Sequence, residues 1–178
     1  MLEGAGVAFE AISPDVDEAA LKPGSDAKST ARLLAEAKAV VVSKRRAKDW
    51  VIGSDSIVSV DGQLFDKPHD RDQAAEHLRF YSGKPMVLTS AVAVARGGDV
   101  DWSVGDTATL QLRILSDDFI ASYLDAEWPE VGYCVGVFRM EGRGVQLFES
   151  IEGSHFTILG MPLLPLLGAL RARGLIGE

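Results

Sequence analysis

With 178 residues, 47% of them hydrophobic and 25% charged, the chain is large enough for one well-buried domain or two small lobes around a cleft. Its formal net charge of −8 excludes the basic face that a DNA or RNA polymer needs, but not a free nucleotide, whose charge a cation and a few lysines offset. The single cysteine, Cys134, excludes an internal disulfide and a Cys-based zinc cluster and fits a reducing cytoplasm; no apolar run nears the ~20 residues that span a bilayer.

In chain order, MLEGAGVAFEA lacks a basic-then-apolar signal pattern, and Val7 to Ile12 is expected as a short strand. Ser13 to Asp26, with Pro14, Pro23 and Gly24, is expected as a loop. Ser29 is expected to cap a helix through about Lys48, with Leu33, Leu34, Ala37 and Val41 on its apolar face. Trp50 to Val60 is expected as a strand, Asp61-Gly62 as a hairpin turn, and Asp70 with Gln73 as a capping box for a helix through Phe80. Met86 to Arg96 and Val100 to Leu115 are expected as paired strands around Gly97-Gly98, and Ser116 as the cap of a helix to about Ala126. After a loop holding Pro129, Val135–Met140 and Val145–Ile151 are expected as a hairpin. Met161-Pro162 then opens a final apolar helix. Helices alternating with strands, plus antiparallel hairpins, define an α/β fold with a mixed sheet and flanking helices, here taken as one domain over 1–178.

The strongest chemical signal is Asp55 in Gly53-Ser-Asp-Ser56. Strands disfavour aspartate, and burying a carboxylate costs several kcal/mol unless a cation or donors compensate. Lys67-Pro68 returns a cation just past the Asp61-Gly62 turn. Lys38, among the small residues of Ala35-Glu-Ala-Lys-Ala39, either meets a ligand or snorkels from a helix flank. Asp15-Val-Asp17-Glu18 is either a metal-holding run or a solvated loop. Glu141-Gly-Arg-Gly144 and Gly153 to Pro162 either shape a pocket or merely turn. His69, His77 and His155 lack ligand spacing and are assigned structural or surface roles. The chain has no GxSxG, no P-loop and no GxGxxG opening a helix.

Taken in order, Asp15-Val-Asp17-Glu18, Ala35-Glu-Ala-Lys38-Ala39, Ile52-Gly-Ser-Asp55, Asp61-Gly62, Lys67-Pro68, Ser82-Gly83, Glu141-Gly142 and Gly160-Met-Pro162-Leu163 resemble the Maf family of nucleoside triphosphate pyrophosphatases across nearly the whole chain. The resemblance implies an elongated mixed sheet with two lobes around a central cleft, and hydrolysis of a nucleoside triphosphate to monophosphate and pyrophosphate. It implies a divalent cation, Mg²⁺ or Mn²⁺, held by Glu18 and Asp55, and a homodimer. Asp55, Lys38 and Lys67 would be catalytic, and Ser56 and Glu141 would bind substrate. Members usually open with a strand and a Ser-x-Ser-Pro-Arg-Arg loop that grips the triphosphate; Met1-Leu2-Glu3 resembles the helix that follows it, so that strand and loop are expected to be missing. Ser56 and Glu141 depart from the dTTP/UTP-type branch, and Glu141 resembles the 7-methyl-GTP branch. Glu141 is expected at the base end of the cleft, away from both lysines. Alternatives are a nucleotide-binding regulator of septum formation without turnover, or an inactive shortened product.

Overall fold

A computed structural model describes residues 1–18, 21 and 26–177. The expected loop from Ser13 to Asp26 therefore falls partly, with Pro23 and Gly24, outside the described residues. Helix α1 spans Ala27–Arg45. Its cap is Asp26 rather than Ser29: Asp26 Oδ1 accepts from the Lys28 and Ser29 backbone N–H groups, each at 3.0 Å. A carboxylate is as good a cap as a hydroxyl, and Asp26 is the first of the two on entering the helix. Strands β1 (Val51–Val60) and β2 (Gln63–Phe65) form an antiparallel hairpin. Its turn residues Asp61 and Gly62 both have positive φ, 51° and 76°, the conformation that matches strand twist in a two-residue loop.

Helix α2 (Arg71–Tyr81) is capped by Asp70 Oδ1, which accepts from Gln73 N at 2.8 Å. The Gln73 side chain reaches back to His69 N rather than to the cap residue itself, also at 2.8 Å. Strands β3 (Pro85–Arg96) and β4 (Asp99–Leu112) join through Gly97-Gly98. Helix α3 (Asp117–Glu127) is capped by Ser116, β5 spans Phe148–Glu152, and the short α4 (His155–Ile158) precedes α5 (Leu163–Arg171). The sheet order is β2-β1-β3-β4-β5, with β4 and β5 antiparallel.

Two expected strand regions are absent. Val7–Ile12 has no regular structure: no described strand pairs with the segment, and Val7, Phe9 and Ile12 all line one cavity. Val135–Met140 is not a hairpin arm either. The region folds through 3-10 turns at Glu130–Tyr133 and Arg143–Leu147. Val137 there has φ 57°, which is incompatible with a strand.

The chain divides into two compact units. The first comprises 1–56, 89–106 and 154–178, and the second 57–88 and 107–153. In the first, Val92 and Val94 of β3 pack on Leu166 and Leu170 of α5, with Trp50, Ile52 and Trp102 against them. In the second, α2 and α3 contribute Leu78, Tyr81, Ile120 and Leu124, all at most 1% exposed.

Candidate functional site

Along β1, alternate residues face opposite sides of the sheet. Gly53 and Asp55 face α1, and Ser54 and Ser56 face the other way. A Cβ on Gly53 would lie 2.3 Å from the Ala35 carbonyl oxygen and 2.6 Å from Ala39 N. Glycine here lets the backbone of α1, itself bare at Ala35 and Ala39, press directly on the strand. The small residues flanking Lys38 are therefore the contact surface of the helix.

That contact delivers Lys38 to Asp55. The ammonium lies 2.5 Å from Asp55 Oδ1 and 2.8 Å from Glu18 Oε1. The Lys38 and Asp55 side chains are 18% and 10% exposed and Glu18 is 45% exposed, so the trio opens to solvent on the Glu18 side. Burial works against the lysine's charge, but hydrogen bonds to Asp55 and Glu18 outweigh it and hold its pKa above the usual value. The donor set, two carboxylates partly open to water, fits Mg²⁺ or Mn²⁺, which take one or two protein carboxylates and complete their shells with water and phosphate. Among the described residues there is no group of three or more His, Cys, Asp or Glu side chains placed to hold a metal, so such a cation would depend on its substrate for ligands.

The opposite face of β1 is fixed by hydroxyls. The Ser54 hydroxyl shares its one proton between the Gly160 and Ala91 carbonyls, at 2.6 and 2.9 Å. Ser90 Oγ donates to the Thr157 carbonyl at 2.7 Å, which uses its only proton. The Ser56 proton then points to Ser90 Oγ at 2.7 Å or to the Gly160 carbonyl at 3.4 Å, and its oxygen keeps acceptor capacity for a substrate. Thr157 Oγ1 donates in turn to Asp106 Oδ2 at 2.5 Å. The Gly153 to Pro162 loop is thus a brace behind Asp55, a role the glycines alone do not reveal. A cavity of about 890 Å³ borders Lys38, Gly53 and Ser54, but its other lining includes Phe9, Trp50 and Leu170. Arg46 and Lys48 line it as well, so the wall is mixed, apolar and cationic.

Lys67 and Glu141 belong to the second unit, where both are exposed. Both act on the half-buried Cys134, whose thiol is pushed up by burial, down by Arg139 and Lys67, and up by Glu141.

A strand carboxylate and a second carboxylate converging on a helix lysine have the chemistry to meet phosphate and hard oxygen-loving cations. The chain belongs to the Maf-like protein family, which matches residues 1–173. It is 45% identical to the 7-methyl-GTP pyrophosphatase of Rhizobium etli over 99% of this chain and 91% of that protein. It is 44% identical to the nucleoside triphosphate pyrophosphatase of Nitrobacter hamburgensis, over 99% of this chain and 89% of that one. A nucleoside triphosphate pyrophosphatase of Sphingopyxis alaskensis is likewise 44% identical over 98% of this chain and 91% of its own length. Among the described residues no helix is long and apolar enough to cross a membrane.

Proposed function

We propose that this chain is a nucleoside triphosphate pyrophosphatase. The carrying observation is the Lys38 ammonium held between Asp55 and Glu18 at 2.5 and 2.8 Å, and the names of the similar proteins support the reaction. Water attacks the α-phosphorus, the bond to the α–β bridging oxygen breaks, and pyrophosphate leaves with the bonding pair. Asp55 orients the water and takes its proton. Lys38 holds Asp55 in place and, with Lys67, neutralises charge on the phosphate oxygens. Mg²⁺ or Mn²⁺ held by Glu18 and Asp55 would supply further positive charge when bound. Ser56 and Glu141 contact the nucleoside, Ser56 as an acceptor.

A guanine-type base suits Glu141, because a carboxylate accepts two adjacent donors and donates none. A methylated, cationic guanine suits it better still. The protein works in the cytoplasm, a reading its lone thiol supports, and as a homodimer, a reading that rests on the resemblance alone. The test is pyrophosphate release from 7-methyl-GTP, GTP, UTP and dTTP with Mg²⁺. Asp55→Asn keeps the shape of the side chain but not its basicity, so turnover is expected to vanish while nucleotide binding persists. Pyrophosphate release at the wild-type rate from Asp55→Asn refutes the assignment.

A further inference from the structure

Among the described residues Glu127 is the one charged side chain that is fully buried, at 7% exposure. Burying a carboxylate is costly unless its partners are well placed. Those partners lie in one short segment. Glu127 Oε1 accepts from Arg143 N, and Oε2 accepts from Arg139 Nη2, both at 3.3 Å. Between them sits Gly142, where a Cβ would come within 2.9 Å of Glu127 Oε2. The tip of the Glu127 side chain thus lies where a side chain at position 142 would begin, so the two would compete for that space.

One turn back on the same face of α3, Tyr123 donates its hydroxyl to the Val137 carbonyl at 2.9 Å. Val137 is wholly buried with φ 57°. A β-branched residue in that region is strained and persists only where its surroundings over-determine it. Tyr123 and Glu127 thus hold the chain at Val137 and at Arg139–Arg143, on both sides of Glu141. Within the segment, Gly144 packs its backbone on that of Arg139, 2.5 Å from a would-be Cβ to the Arg139 carbonyl oxygen. The exposed charges of this folded segment are Arg139, Glu141 and Arg143.

We propose that Tyr123 and Glu127 are positioning residues for base selection: they clamp the 137–143 segment so that Glu141 is presented in one fixed orientation. The proposal rests on the reading of Glu141 as the contact to the base. It explains why a carboxylate is buried at the end of α3, where an apolar residue would stabilise the unit as well. Glu127 touches no substrate and acts through the backbone of Arg143 and the guanidinium of Arg139.

The experiment has two arms. Amide hydrogen exchange over 137–144 in Glu127→Ala should rise at least about tenfold, and in Glu127→Gln, which keeps an acceptor for Arg143 N, it should stay close to wild type. In kinetics, Glu127→Ala should raise KM for 7-methyl-GTP about tenfold or more with kcat nearly unchanged, the signature of lost binding shared by ground and transition states. The substrate ranking should move as in Glu141→Gln, with Glu127→Gln rescuing most of it. Tyr123→Phe, which deletes one hydroxyl, should shift both readouts in the same direction and decides the matter should Glu127→Ala not fold. Unchanged exchange overturns the clamp. Raised exchange with an unchanged ranking overturns its role in selection. Wild-type protein that releases no pyrophosphate from any triphosphate sinks the hydrolase reading and selection with it, whereas the exchange arm still decides the clamp.

Discussion

Replacing Gly53 by alanine tests whether the α1–β1 contact sets the catalytic geometry. The added Cβ would sit 2.3 Å from the Ala35 carbonyl oxygen and 2.6 Å from Ala39 N. Both obstacles are backbone, so no side chain can swing aside. Relief to an ordinary contact of about 3.5 Å requires α1 and β1 to separate by roughly 1 Å. Overpacking of this kind costs about 1–3 kcal/mol, which in a chain of this size lowers Tm by roughly 2–12 °C. The same separation stretches the 2.5 Å Lys38–Asp55 contact to the limit of a hydrogen bond. A displacement of about 1 Å at a reacting centre can cost on the order of 100-fold in rate.

The assay is pyrophosphate release at a temperature well below the Tm of the variant, beside a control of similar stability loss. Leu166→Ala is a suitable control: Leu166 is fully buried in the α5 cluster, its truncation costs about 2–5 kcal/mol, and it has no contact with Lys38 or Asp55 among those described. Gly53→Ala is expected to lose 10- to 100-fold in kcat, as orders of magnitude for a misplaced group, where Leu166→Ala loses little. Equal kcat in the two variants would show that the close contact is packing alone.

Two other predictions concern charge. Because the folded-state pKa of Lys38 lies above the usual lysine value of 10.5, its contribution to stability is fully present below that pH and lost as pH rises through the folded value. The stability difference between wild type and Lys38→Met, from urea unfolding, should be level to about pH 10 and fall beyond it; a fall centred near neutrality would contradict the ion-pair reading. Glu141→Gln should shift preference toward UTP and dTTP by roughly ten- to a hundredfold, since a good bidentate base contact is worth about 1–3 kcal/mol. Competition among the four triphosphates measures this, and an unchanged ranking leaves Glu141 a solvated turn residue.

What was legible in the sequence was local. A carboxylate inside a β-branched strand is anomalous on its own, and Asp55 is the residue that meets Lys38. The alanines around Lys38 mark a close helix contact, although only the fold identifies Gly53 as the surface they meet. Helix caps shifted by a few residues where two good acceptors compete, as at Asp26 and Ser29. The longer failures were non-local. Val7–Ile12 carries apolar residues but finds no pairing strand among the described residues. Val135–Met140 alternates like a strand, yet α3 pulls it into a compact loop through Tyr123 and Glu127. Nothing in the segment's own composition announces a carboxylate eight residues before its start.

The two clusters share one construction. At Gly53 the backbone of α1 fills the space of a missing Cβ, and at Gly142 the Glu127 carboxylate does the same. In each case an acid proposed to act on substrate, Asp55 or Glu141, lies within two residues of that glycine. Aspartate and glutamate side chains are short, so their aim is set mainly by the backbone that carries them. Fixing that backbone needs a contact closer than side-chain packing permits, and glycine is the residue that permits it. Serines then lock the other face at the first site, where Ser54 and Ser56 bind Gly160 and Ser90. At the second, the lock is the Tyr123 hydroxyl on the strained Val137. On this reasoning the glycine beside each acid is as much a determinant of the chemistry as the acid itself, and its replacement should cost activity out of proportion to stability.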